Sequence, residues 1–286
     1  MLRALAMGTT AGLALAFAAP GLAAQPLRVV ATIEPLCMLA RQIGGDSLAC
    51  TTLVPPGATP HAFEPRVSTL RAVADAELLV AAGNGIDDWT APLASAGSRS
   101  WLALGPPCGA RDLACAHFWL DPALARAAAL RLYGDLAARD PDHRADLLAR
   151  VRAFLAESER LDRELALLLA PFAGERFVSF HPAWGGFARH FGLVEVGGIQ
   201  ERGAEEPTPR SLAAIVDAAR GARVRVVVVE PQIDPHTALA LADEIGARVA
   251  RCDPFGDPRD PARATPLALQ RWNASALAAA LAGGAP

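Results

Sequence analysis

One stretch limits the folds open to this chain more than any other: Asp140 to Phe172 reads as a single long charged helix lying almost midway along 286 residues. Its sequence is DPDHRADLLARVRAFLAESERLDRELALLLAPF. Asp140 can accept from the first free backbone N–H groups, and Pro141 suits the first helical position. Pro171 and Gly174 mark the end. Leu147, Val151, Phe154, Ser158, Leu161, Leu165 and Leu168 follow a 3,4 spacing, so one stripe faces a core. Glu159 with Arg163 and Arg160 with Glu164 are four apart and support the wet face by about a few tenths of a kcal/mol each. At about 1.5 Å per residue the helix spans roughly 45 Å, enough to bridge two lobes. A short coiled coil is the alternative, but no partner stripe is visible.

The two sides of this helix resemble each other. Val30-Ala-Thr-Ile-Glu-Pro35 followed by Ala40-Arg-Gln-Ile-Gly44 lies beside Val178-Ser-Phe-His-Pro182 followed by Ala188-Arg-His-Phe-Gly192. Both read as strand, turn at proline, helix and glycine stop. Further on, Glu64-Pro65 with Leu70, Val73, Asp75 and Ala76 matches Glu206-Pro207 with Leu212, Ile215, Asp217 and Ala218 without a gap. The runs Leu78-Leu79-Val80 and Val226 to Val229 follow, short and bounded as buried parallel strands are. The expected fold is therefore α/β: two similar lobes, each a mostly parallel sheet flanked by helices, joined by one long backbone helix. The expected boundaries are 25–139 for the first lobe, 140–172 for the helix and 173–286 for the second lobe.

At 52% hydrophobic residues the chain has ample core for both lobes, and a net charge of −3 argues against a nucleic-acid partner. All the basic residues other than histidine are arginine, a compositional habit that points to no function. Met1-Leu2-Arg3, the apolar run Ala4 to Ala19 and the small-residue end Pro20 to Ala24 have the form of a secretory signal, so residues 1–24 are expected to be removed. The run is short of the roughly 20 residues needed to span a bilayer. No cysteine follows the expected cut, so no lipid anchor is expected there. Five cysteines, at 37, 50, 108, 115 and 252, leave at least one thiol unpaired in an oxidising compartment. Cys108 and Cys115 bracket a short loop and are the expected disulfide. None of the spacings is that of a C-x2-C zinc site.

Ligand sites in open α/β sheets lie beyond the carboxyl ends of the strands. His61 follows the run Thr51 to Val54 through a proline-rich loop, His117 follows Trp101 to Leu104, His181 ends Phe177 to Phe180, and Asp253 ends Ala247 to Cys252. Two come from each lobe. Three imidazoles and one carboxylate make a plausible shell for zinc or another divalent transition metal. Singly, each has a plainer reading: a loop histidine is usually hydrogen-bonded or solvated, and Asp253 before a proline suits an Asx-turn. Their recurrence at matching strand ends of both halves is what favours a shared site. His143, His190 and His236 read as surface or structural. Glu230, at the end of Val226 to Val229, can orient a ligand histidine as an acceptor behind it, or be a further ligand.

Several ordered segments then carry a family resemblance: Val54-Pro-Pro-Gly-Ala-Thr-Pro-His-Ala-Phe-Glu-Pro65, Gly83-Asn-Gly-Ile-Asp-Asp-Trp89, His117-Phe-Trp-Leu-Asp-Pro122, His181-Pro-Ala-Trp-Gly185 and Glu230-Pro-Gln232. Over nearly the whole mature chain these resemble the periplasmic metal-binding solute receptors of zinc and manganese ABC transporters, of the zinc-uptake type. The resemblance implies two α/β lobes on a rigid helix, a metal ion in the cleft held at positions matching His61, His117, His181 and Asp253, and delivery to a membrane permease by a monomeric receptor. A histidine at 181 resembles the zinc branch, since manganese members tend to place a carboxylate there. Two departures stand out. The segment Pro106 to Cys115 lacks the His-rich acidic loop of many zinc receptors, and Cys115-Ala116 replaces the Asp-Pro that often precedes the second ligand.

Zn2+ is thus the expected ion, with Mn2+ as second choice and a manganese or iron receptor as the alternative. A receptor needs a closed shell, whereas a catalytic zinc keeps a position open for water. The rival class is a secreted zinc-dependent hydrolase using three histidines and a bound hydroxide. It lacks an H-E-x-x-H motif, and its base would have to be Glu34 or Glu230. A metal-dependent adhesin would share the fold.

Overall fold

In a computed structural model of the chain, residues 25–96, 100–107, 113–199, 208–232 and 234–283 are described. The first half contributes β1 (Leu27–Ala31), α1 (Glu34–Gly44), β2 (Leu48–Thr52), α2 (Val67–Asp75), β3 (Leu78–Ala81), α3 (Ala91–Ala96), β4 (Trp101–Ala103), α4 (Leu113–Ala116) and α5 (Pro122–Arg139). After α6 (Arg144–Leu169), the second contributes β5 (Arg176–Ser179), α7 (Gly185–His190), β6 (Val194–Gly198), α8 (Pro209–Gly221), β7 (Val226–Val229), α9 (His236–Ile245), β8 (Arg248–Arg251) and α10 (Pro266–Ala282).

The strands form two four-stranded parallel sheets, ordered β2-β1-β3-β4 and β6-β5-β7-β8. The topology is the same in each, as the internal repeat predicts. β1 and β5, which the repeat aligns, occupy the same place in their sheets. The central β3 and β7 are buried at every residue, which is why they read as unbroken apolar runs with no alternation. Among the described residues, no helix is long and apolar enough to cross a membrane.

The long helix begins later than the sequence predicts. Asp140 instead ends α5, its N–H donating to the Leu136 carbonyl, and its carboxylate accepts from the His143 N–H. The residue before a proline is held out of helical conformation, and Asp140 sits at φ −124°. Residues 140–143 therefore make the turn between α5 and α6, and Pro171 falls in a 3-10 turn, Ala170–Phe172, after α6. The buried stripe is the predicted one except at its end, where Leu169 is buried and Leu168 is 40% exposed. A strict 3,4 repeat drifts against 3.6 residues per turn by about 20° per heptad, and a second step of four restores the phase. On the exposed face Glu164 pairs with Arg271 of α10.

α6 packs against α1, α5 and α10, and one hydrophobic core runs through it from Val29, Leu36 and Val80 on one side to Phe177, Val226 and Leu277 on the other. Cys37 of α1 and Cys50 of β2 form a disulfide with their Cα atoms 5.7 Å apart, a pairing that the sequence reading did not anticipate. Cys115 is itself disulfide-bonded, whereas Cys108, its expected partner, lies outside the described residues. Cys252 is a free, buried thiol.

Candidate metal centre

His61 lies in the 3-10 turn Pro60–Ala62 that follows β2. Trp89 fixes this turn: its indole N–H donates to the Pro60 carbonyl at 3.1 Å and its ring packs on Phe63 at 4.9 Å between centroids. Trp89 is held in turn by the loop after β3. There the Asp87 carboxylate accepts from the Thr32 hydroxyl (2.5 Å) and the N–H groups of Ala82 (2.7 Å) and Gly83 (2.8 Å). Gly83 and Gly85 take positive φ (76° and 84°), which glycine adopts freely, and Asn84 between them does so at 57°. Burial raises the pKa of Asp87. The Gly85 backbone reaches back to hydrogen-bond the His61 ring.

His117, 1% exposed, precedes the 3-10 turn Phe118–Leu120. That turn is pinned to the other lobe: the Trp119 indole N–H donates to the Pro254 carbonyl at 2.6 Å, and Gln270 donates to the Trp119 carbonyl at 3.3 Å. His181 follows β5 and turns the chain into α7, with the Ala183 N–H donating back to its carbonyl at 2.8 Å. Its Nδ1 lies 3.4 Å from a carboxylate oxygen of Glu230, a side chain almost wholly buried at the end of β7.

The three histidines converge although they come from separate segments. One ring nitrogen of each lies within 4.8 Å of the other two, and the Nε2 atoms of His61 and His181 are 3.3 Å apart. Ring centroids are separated by 4.8 Å (His117 to His181), 5.3 Å (His61 to His181) and 5.6 Å (His61 to His117). Burial, reinforced by the neighbouring His181, lowers the pKa of His61 to about 4, so at neutral pH it is an uncharged imidazole with a free lone pair. Glu195 on β6 lies close enough to feel both His181 and Glu230; burial raises its pKa to about 7 against the opposing donation from the Ser179 hydroxyl.

The fourth expected ligand, Asp253, is not in this group. Its side chain is fully buried, and both oxygens are already engaged. One accepts from Gln232 (2.6 Å) and the N–H groups of Phe255 and Gly256 (2.9 Å each), and the other is paired with Arg263 at 2.5 Å. The Asx-turn reading of Asp253 thus describes its contacts. The turn it organises includes Pro254, whose carbonyl holds Trp119, so Asp253 supports the segment of His117 from behind. Sequence reasoning missed Arg263 and Glu195, and the partner of Gln232, because their roles depend on which strand ends lie side by side. Trp89 and Trp119 were visible within the motifs, without their partners. Of the other histidines, His143 contacts Asp140, His190 lies between Asp121 and Asp162, and His236 is exposed at the start of α9.

Residues 29–280 match the family model of the periplasmic component A of zinc-uptake complexes. The chain belongs to that family. It is 28% identical over 310 aligned positions to the high-affinity zinc uptake system protein ZnuA of Paracoccus denitrificans, covering 91% of this chain and 95% of that one. It superposes with a TM-score of 0.78 on the crystal structure of a zinc-bound ZnuA deletion mutant, at 31% identity and with coverage of 91% and 99%. A manganese-binding lipoprotein, MntA of Halalkalibacterium halodurans, is 25% identical over 232 residues, covering 78% of this chain and 77% of that protein. Membership of the zinc-uptake family accords with the paired sheets and the connecting helix.

Proposed function

We propose that this chain is the periplasmic receptor of a zinc ABC transporter, that His61, His117 and His181 hold the ion, and that it passes the ion to a membrane permease. One observation carries this reading: three imidazole nitrogens from the two lobes converge within 4.8 Å of one another. Two nitrogens bound tetrahedrally to zinc at roughly 2.05 Å lie roughly 3.3 Å apart. The Nε2 atoms of His61 and His181 have that separation. Neutral imidazoles suit zinc, whereas manganese favours more oxygen ligands. Glu230 faces the outer nitrogen of His181, the arrangement in which a carboxylate orients a ligand imidazole and increases its basicity. Water completes the shell, with Glu230 kept behind His181 and Asp253 kept by Arg263.

A receptor, with no catalytic step, accords with these contacts. Glu34, one of the two bases open to a hydrolase, is closed off by Arg41 (2.6 Å) and Thr52 (2.5 Å), and the other, Glu230, stands behind a histidine. The same reading takes residues 1–24 as a secretory signal, 25–139 and 173–286 as the lobes and 140–172 as the join, in a monomer that binds no nucleic acid. Calorimetric titration with zinc and manganese tests it. The native protein should bind zinc more tightly, and His61→Ala, His117→Ala and His181→Ala should each weaken zinc binding by about tenfold or more. Unchanged affinity in any of these removes that residue from the shell, and hydrolytic turnover by the zinc-loaded protein defeats the receptor reading.

A further inference from the structure

Beside the segments of His117 and His181 lies a chain of four linked side chains, Asp121, His190, Asp162 and Arg126, drawn from three helices. Asp121 ends the turn that starts at His117 and caps α5, accepting from the N–H groups of Ala123 (2.8 Å) and Leu124 (3.2 Å). Arg126 lies one turn further along α5, Asp162 is on α6, and His190 ends α7, the helix that follows His181. The His190 Nε2 is 2.6 Å from Asp162, its Nδ1 is 3.4 Å from Asp121, and Arg126 is 2.9 Å from the second oxygen of Asp162. α7 also packs directly on the 3-10 turn Phe118–Leu120. These pairings therefore span a contact between the segment that carries His117 and the segment that carries His181.

We propose that His190 is a positioning residue for the metal centre: by pairing at once with Asp121 and Asp162, it fixes the spacing between His117 and His181, which come from opposite lobes. This rests on the receptor reading above. None of these four residues belongs to the converging group of ligand atoms, so their effect on the ion is exerted through the histidines. Ion pairs partly open to water add little to global stability. A metal site is less tolerant, because ligand distances must hold to about 0.2 Å. Loss of the His190 pairings should thus weaken metal binding out of proportion to any loss of fold.

The test uses the mature protein with its native sequence beside His190→Ala, His190→Gln and His190→Arg. Three quantities are read: zinc affinity by competitive titration, the visible absorption of the cobalt(II)-loaded protein as a report of ligand geometry, and the melting temperature of the metal-free protein. His190→Ala should weaken zinc by about tenfold, the scale on which groups that orient ligands act. It should also change the cobalt spectrum while moving the metal-free melting temperature little. His190→Gln, which can reach only one aspartate, should fall in between. His190→Arg, which can donate to both, should recover most of the affinity and the native spectrum. Native zinc affinity and an unchanged cobalt spectrum in His190→Ala or His190→Gln overturn the proposal. So does a loss of metal binding that merely tracks a loss of metal-free stability and is not recovered by His190→Arg. If the native protein itself takes up neither zinc nor cobalt, the receptor reading fails first and this proposal with it.

Discussion

At the scale of single residues, the candidate site sets two titrations against each other. Burial lowers the His61 pKa from 6.5 to about 4, so between these values the unfolded chain binds the proton that the folded one refuses. Stability that is complete above pH 6.5 is then lost as pH falls towards 4. Glu195 works in the other direction: raised from 4.5 to about 7, it keeps a proton in the fold that the unfolded chain releases, so its contribution is full below pH 4.5 and is lost as pH rises towards 7. In the shared window, about pH 4.5 to 6.5, the two slopes oppose. Glu195→Gln removes one of them. Its metal-free melting temperature, followed by circular dichroism, should rise with pH across that window more steeply than in the native protein; parallel curves would show that Glu195 does not carry the shift. Asp253 makes a different prediction, because it is paired with Arg263 and not grouped with the histidines. Asp253→Ala leaves Arg263 with Asp260 alone, strips Gln232, Phe255 and Gly256 of their buried acceptor and breaks the turn that holds Trp119. It should destabilise the fold by about 3 kcal/mol, measured by denaturant titration, while costing less zinc affinity than any of the three histidine substitutions.

At the scale of elements, α6 shows what periodicity can and cannot say. The stripe from Leu147 to Leu165 was legible because each of those residues is buried on one face, but the same spacing chose Leu168 where the helix buries Leu169. Leu169→Ala should cost about 2–5 kcal/mol as a core truncation, and Leu168→Ala within about 0.5 kcal/mol as a surface change. Comparable shifts in their denaturation midpoints would put the phase of the helix in error. The repeat of β1-α1 in β5-α7 was legible for a related reason: strand, proline turn and glycine stop are local chemistry, and local chemistry survives in a one-dimensional string. The convergence of His61, His117 and His181 was legible only as three matching strand ends. Cys37 and Cys50 escaped notice because their pairing depends on α1 lying back across β2, and spacing alone does not reveal that. The pairing of Asp253 with Arg263, outside the histidine group, was hidden for the same kind of reason. Whether a carboxylate at a strand end meets a metal or an arginine is decided by the path of the chain through Arg263, ten residues later.

At the scale of the whole molecule, the decisive feature is that the lobes share their core. α6 buries Phe154, Leu161 and Leu165 in a cluster that also holds Leu36 and Val80 of the first lobe and Phe177, Val226 and Leu277 of the second. Wide opening of a cleft would pull this cluster apart and expose apolar surface at about 25 cal/mol per Å2. A pair of lobes on flexible strands would face no such penalty. Two interlobe ties add to the restraint, since Trp119 reaches Pro254 and Gln270 reaches the Trp119 carbonyl. Release of the ion is then expected to proceed by small shifts of the loops bearing His61 and His181, and the lobes should not swing apart. Two measurements follow from the shared core. Small-angle scattering should give the same radius of gyration with and without zinc, and thermal unfolding should be one cooperative transition in both states. That transition should move upward with zinc as RT ln(1 + [L]/Kd) requires. A change of several Å in the radius of gyration on loading, or two transitions of which only one responds to zinc, would mean that the lobes move and melt independently and that α6 does not bind them into one body.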